Sequence, residues 1–204
     1  MTLLGLATLS LIPLYLAVLA LGSGLAAQAA GRSVWLLSRP GNGWSAWGYR
    51  MAFGLAFFGP LSQTALPSLH EVDPLWREAG GPFWSLPGQL LAVVGALLAV
   101  AGQAAMGTSW RVGVAKEAVG ELVTEGPFRI SRNPVFVGQF LLLAGVALAV
   151  PSTPALIALL VFALAARRQV VAEERLLDAQ HGASFQAYRA RVPRWLRLVR
   201  SDAP

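Results

Sequence analysis

The sequence predicts an all-α, polytopic integral membrane protein. It has about five transmembrane helices, a short hairpin between the fourth and fifth, and an amphipathic C-terminal tail on the cytoplasmic side. Three observations carry that prediction. Of 204 residues, 55% are hydrophobic and only 13% are charged, against about 25% charged in an ordinary soluble domain. The mean hydropathy is +0.57. Apolar runs near the ~20 residues that cross a bilayer recur along the chain.

The first run spans about Leu3 to Ala29. It lacks a basic leading region and a convincing cleavage site, so it reads as a retained helix and not a signal peptide. The second runs from about Trp44 to Leu66 and the third from about Leu86 to Met106. The fourth, about Pro134 to Val150, is short. Gly126-Pro127 marks a turn ahead of it. Asn133 then suits an N-cap and Pro134 the first helical position. Gly138 and Gly145 are seven residues apart and share a face, where a helix or a ligand can approach closely. Plain helix packing is the favoured role for Gly145. The corner "VPSTP" (150–154) leads to the fifth run, about Pro154 to Ala166, extendable through Gln169–Val171. The tail from Arg167 to Arg200 mixes apolar residues with eight arginines. It predicts a helix over 167–180, a break near Gly182 and a further short helix, lying along an anionic inner leaflet.

Charge fixes the expected orientation. With the segment 107–133 in the cytoplasm, the N-terminus lies outside and the C-terminus inside. Fifteen of the sixteen Lys/Arg then lie inside, and only Arg77 lies outside, as the positive-inside rule requires. The basic residues flank apolar segments instead of forming one soluble patch, so the net charge of +6 does not point to nucleic acid. One lysine stands against fifteen arginines in a chain rich in Ala, Gly and Leu. That bias points to a GC-rich bacterium, and hence to its inner membrane. Trp35, Trp44, Trp47, Trp76 and Trp84 fall at helix ends, as in an aromatic belt; Trp110 is read as an interface anchor too.

Absences narrow the chemistry. There is no cysteine and there are two distant histidines, His70 and His181. Thiol catalysis, iron–sulfur clusters and His-rich metal sites are excluded, and no metal is expected. No phosphate-binding G-x-x-x-x-G-K-[ST] loop, zincin H-E-x-x-H or G-x-S-x-G elbow occurs.

Two inner-side pieces hold the candidates: "MGTSWRVGV" with "LVTEGPFRISRNPVFVG", and "VVAEERLLDAQHGASFQAYRARVPRWL". A helix start explains Asn133 and Pro134. Arg129 and Arg132 can snorkel to lipid phosphates, or hold an anionic ligand beside the helix N-terminus. Glu173 and Glu174 point about 100° apart on a helix. They either form salt bridges with Arg167, Arg168 and Arg175, or one meets a ligand while the other neutralises an arginine.

In order, these segments resemble the isoprenylcysteine carboxyl methyltransferase family of integral membrane methyltransferases, to which phospholipid N-methyltransferases are related. The family pattern is Arg-His-Pro-x-Tyr-x-Gly, an apolar stretch, Glu-Glu, and a later Val-Pro-Arg. Arg132, Pro134, Gly138, Glu173, Glu174, Tyr188, Val192, Pro193 and Arg194 match it, over about residues 105–197. Asn133 stands in place of the family's His and Phe136 in place of its Tyr. The resemblance implies a division into N-terminal helices (1–106) and a catalytic, cofactor-binding half (107–204). It implies an S-adenosyl-L-methionine pocket formed by Gly126, Pro127, Phe128, Asn133, Pro134, Phe136, Gly138, Glu173 and Glu174, with Arg132 and Glu174 as catalytic residues. Arg132 would orient an anionic acceptor, Gly138 would give the cofactor room, and a glutamate would hold its ribose or amino group. The implied partner is a lipophilic small molecule or lipid that reaches the site sideways from the membrane. Two other readings stand beside this one. Sterol reductases carry a similar segment, with Glu where this chain has Gln139, which would make the protein an NADPH-dependent membrane reductase. Asn133 and Phe136 also allow a non-catalytic membrane protein with a degenerate pocket.

Overall fold

The computed structural model describes residues 2–38, 42–66, 68–78, 82–113 and 120–196. Arg39, Lys116, Arg197 and Arg200, which count toward the inside charge, lie outside these described residues. The element order is α1 (Leu3–Ala30), α2 (Gly43–Ala65), α3 (Leu69–Val72), α4 (Pro74–Glu78), α5 (Pro82–Met106), α6 (Pro134–Ala149), α7 (Thr153–His181) and α8 (Ala183–Arg191). Short 3-10 turns cover Gly107–Ser109 and Gly126–Arg129. The protein is all-α and polytopic. The described residues hold no strand, only one isolated bridge between Trp35 and Val112.

Three helical stretches are long and apolar enough to cross a membrane: Leu3–Ala30, Trp84–Ser109 and Thr153–His181. The other two expected spans are present as helices of different character. α2 is long at 23 residues, but Arg50 and a polar end at Ser62, Gln63 and Thr64 lower its hydropathy. α6 has 16 residues, a rise of about 24 Å, and its buried face is turned inward. α7 departs from the expected pattern. It continues for 29 residues from Thr153 to His181 without interruption, so the fifth run and the first tail helix are one element. The break at Gly182 and the short helix after it occur as the sequence predicts, Gly182 taking a φ of 48°.

α5 and α6 form the most intimate pair. A Cβ on Gly138 would collide with the Ala99 amide and the Gly95 carbonyl, and one on Gly145 with Ala92 and the Gly88 carbonyl. Small residues on both helices thus bring the two backbones together. α2 packs on α7 and α1 on α5, whereas α1 and α2 barely touch. A gap therefore runs between α1 and α2.

Two polar clusters fix the ends. On one side the buried Asp73 carboxylate accepts hydrogen bonds from Gln63 Nε2, Leu75 N (3.0 Å), Thr153 N (2.9 Å) and Thr153 Oγ1 (2.8 Å). It joins α2, α4 and the start of α7. Burial pushes the Asp73 carboxyl up, but these donors outweigh it and hold it below the usual carboxylate range. On the other side, Trp110 Nε1 donates to Ser23 Oγ (2.9 Å) and Gln103 Nε2 to Ser23 Oγ (3.2 Å). Trp110 is buried, not an interface anchor. Trp35, Trp44, Trp47 and Trp84 are exposed, as a belt requires.

Candidate functional site

The segment between α5 and α6 meets the C-terminal tail at Arg132. The Arg132 amide donates to Pro193 O (2.9 Å) and Ser131 Oγ donates to Arg194 O (3.2 Å). The Arg132 guanidinium donates through Nε (3.1 Å) and Nη2 (2.8 Å) to Glu174 Oε1. Its Nη1 donates to the carbonyls of Arg189 (3.2 Å) and Val192 (2.6 Å). Arg194 approaches Glu174 from the other side, with Nη2 to Oε2 at 2.6 Å. The Arg132 and Glu174 side chains are only 8% and 9% exposed. One buried carboxylate thus binds two arginines from separate segments, and its hydrogen bonds hold the Arg194 guanidinium above its ordinary range. Four of the five Arg132 N–H donors are engaged within the protein.

Beside this clasp, Phe128 packs against Phe185 and Tyr188. The Tyr188 hydroxyl donates to Phe128 O (2.7 Å). Burial pushes this phenol up to about 12, so it stays protonated and donating.

A cavity of about 680 Å³ opens next to the clasp. Its polar end is lined by Arg111, Arg132, Asn133, Gln169, Glu173 and Glu174. Its apolar arm runs past Ile12 and Leu16 of α1 and Phe53, Phe57 and Phe58 of α2, in the gap between those helices. Between the two ends, the Tyr49 ring stacks on Phe136 at 6.1 Å between centroids. Gln139 Nε2 donates to Tyr15 Oη (2.7 Å) in the wall.

The sequence-predicted residues divide among these features. Arg132, Glu174, Phe128, Asn133, Pro134, Phe136 and Glu173 all line the cavity. Gly126 and Pro127 form the neighbouring turn but are not on the lining. Gly138 is turned to α5; its expected place in a cofactor wall gives way to helix packing, because the α5 backbone occupies the space beside it. Asn133 sits at the N-cap position with Pro134 behind it, but its side chain does not cap the helix. Its Nδ2 donates instead to Arg194 O (3.0 Å). Arg129 pairs with Glu125 on the surface, whereas Arg132 is buried in the clasp. Glu174 takes arginines distant in sequence, not Arg167, Arg168 or Arg175.

Glu173 faces the cavity, where its Oε1 accepts from Gln169 Nε2 (2.8 Å). Among the described residues, two buried polar atoms on lining residues have no hydrogen-bond partner: the Tyr49 hydroxyl and Gln169 Oε1. Of the further lining residues, Arg111 lies in the candidate piece "MGTSWRVGV", whereas Tyr49 and Gln169 were not singled out by the sequence.

Residues 84–184 match the phospholipid methyltransferase family. That match supports a methyltransferase-type membrane protein. The matched segment runs from α5 to the start of α8. Neither the curated proteins nor the solved structures contain a match to it.

Proposed function

We propose that this protein transfers a methyl group from S-adenosylmethionine to a carboxylate, amine or thiol of a lipophilic acceptor, in the manner of isoprenylcysteine carboxyl methyltransferases. The site faces the cytoplasm, with the N-terminus outside. The observation that carries the reading is the two-ended cavity. One end is lined by Arg111, Arg132, Asn133, Gln169, Glu173 and Glu174, and the other is an apolar arm between α1 and α2. A water-soluble methyl donor and a membrane-soluble acceptor need a space of that kind.

When bound, the cofactor supplies a methyl group already activated on a sulfonium. The residues of the chain then have to position and dehydrate the reactants. Glu173 and Gln169 meet the cofactor directly. Arg132, Glu174 and Arg194 act as positioning residues: the clasp draws the tail onto the start of α6 and closes the polar end. Asn133 and Phe136 serve the wall, one tying the tail down and the other stacking with Tyr49. A carboxylate acceptor needs no base, whereas a thiol or amine acceptor gives up its proton to water at the mouth.

Calorimetric titration of the detergent-purified protein tests the reading. S-adenosylhomocysteine is expected to bind and NADPH is not. NADPH binding alone would make the protein a reductase, and binding of neither would leave a pocket without catalytic use.

A further inference from the structure

Three arginines near the Glu pair take no part in the clasp. Arg167, Arg168 and Arg175 are exposed, and among the described residues no carboxylate pairs with any of them. Glu173 and Glu174 are turned to the cavity and to the clasp, and α2 alongside holds no acidic residue. Helical spacing puts Ile157, Leu160, Leu164, Arg168 and Arg175 within an arc of about 80° on α7. The three apolar residues are exposed, Leu160 by 66% and Leu164 by 64%. This outward face turns from apolar to cationic between Leu164 and Arg168, one turn or about 6 Å along the axis. A headgroup layer has that depth, about 5–7 Å on each side of the hydrocarbon core. The Arg168 guanidinium lies over the Trp44 ring, 5.9 Å from its centroid. Trp47 meets Trp44 edge to face at 6.3 Å, and both indoles are exposed. The ring contact holds the guanidinium in place without using its N–H donors. Close by, a Cβ on Gly48 would collide with the Ala165 Cβ, so α2 and α7 are closed against each other there.

We propose that Arg168, Trp44 and Trp47 hold the headgroup of a membrane phospholipid of net negative charge, with its chain along Leu164, Leu160 and Ile157. The Arg168 guanidinium donates to the phosphate oxygens, which its planar fork suits. The two indoles border the glycerol region, at the depth where such amphipathic rings collect. Arg175, two turns further along the same face, adds a second unpaired positive charge. A zwitterionic lipid fits less well. Its ammonium would meet both arginines, with Glu173 and Glu174 turned away. None of Trp44, Trp47, Ile157, Leu160, Leu164 and Arg168 lines the cavity. The site is therefore separate from the gap between α1 and α2, and it stands whether or not the methyl-transfer reading does.

The test is native mass spectrometry of the detergent-purified protein with phosphatidylglycerol and phosphatidylcholine of identical chains, added at equal concentration. Phosphatidylglycerol is expected to be retained about fivefold better. Arg168→Ala is expected to remove most of that preference, and Trp44→Leu to reduce it by about half. Arg191→Ala, which removes the same charge from an exposed position on α8, is expected to leave it unchanged. The melting temperature in lipid-free detergent checks folding, and Arg168→Gln replaces Arg168→Ala if the latter lowers it. Equal retention of the two lipids, or retention of neither, overturns the proposal. So does an equal loss in the Arg168 and Arg191 variants, which would assign the preference to net charge spread over the surface.

Discussion

Glu174 joins three parts of the chain through one carboxylate: α7, the start of α6 and the tail at Arg194. Removing it leaves two guanidinium groups facing each other, one of them buried. Glu174→Ala is expected to cost roughly 3 kcal/mol and to free the tail, which limited proteolysis would show as faster cleavage after residue 182. Glu174→Asp, which keeps the charge but shortens the reach, should fall between. A cleavage pattern identical to the unaltered protein would contradict the clasp. The adjacent carboxylates were legible as a pair, and their 100° separation on a helix told that they face different surroundings. Which one takes the two arginines was not legible. That depends on the tail folding back to bring Arg194 across, and nothing local in "EERLL" encodes it.

At the scale of elements, α5 and α6 depend on small residues at their contact. Gly138→Val would force a branched side chain into the α5 backbone and is expected to destabilise by about 2 kcal/mol, read as a lower melting temperature in detergent. An unchanged melting temperature would show that the pair can separate without loss. The far end of α7 depends on Asp73. Its carboxyl is held below the usual range in the folded protein, so its contribution is complete above the unfolded value, about 4. It disappears as pH falls through the lower folded value. Acid unfolding is expected to lose part of its pH dependence in Asp73→Asn, because that variant has no proton to take up there; superimposable acid-unfolding curves would contradict this. Helix existence was legible from apolar runs, but the continuity of α7 was not. The shift from apolar to charged residues at Arg167 resembles a helix end. Yet Ala, Arg, Gln, Glu and Leu all favour helix, and no Gly or Pro occurs between Pro154 and Gly182. Helix propensity prevails over the change in polarity.

For the molecule as a whole, the arrangement sets a polar pocket against an apolar arm, and the two come from different halves of the chain. The polar end is built largely from residues the motifs single out. The arm comes from α1 and α2, where Ile12, Leu16, Phe53 and Phe57 differ in no local respect from ordinary lipid-facing or core residues. Only the splaying of α1 from α2 makes them a lining, and splaying is a property of packing that no periodicity reveals. This division also locates specificity. Phe53→Ala, in the arm, is expected to alter which acceptors are used while leaving S-adenosylhomocysteine affinity within about threefold; a larger loss would mean that the two ends are not separate. The central claim is that the cavity joins a soluble methyl donor to a membrane-soluble acceptor. The most direct measurement supplies tritium-methyl-labelled S-adenosylmethionine to the protein reconstituted in bacterial lipid and counts label in the organic phase. The account predicts label in lipid-soluble product. Label confined to the aqueous phase, with S-adenosylhomocysteine still bound tightly, would contradict it.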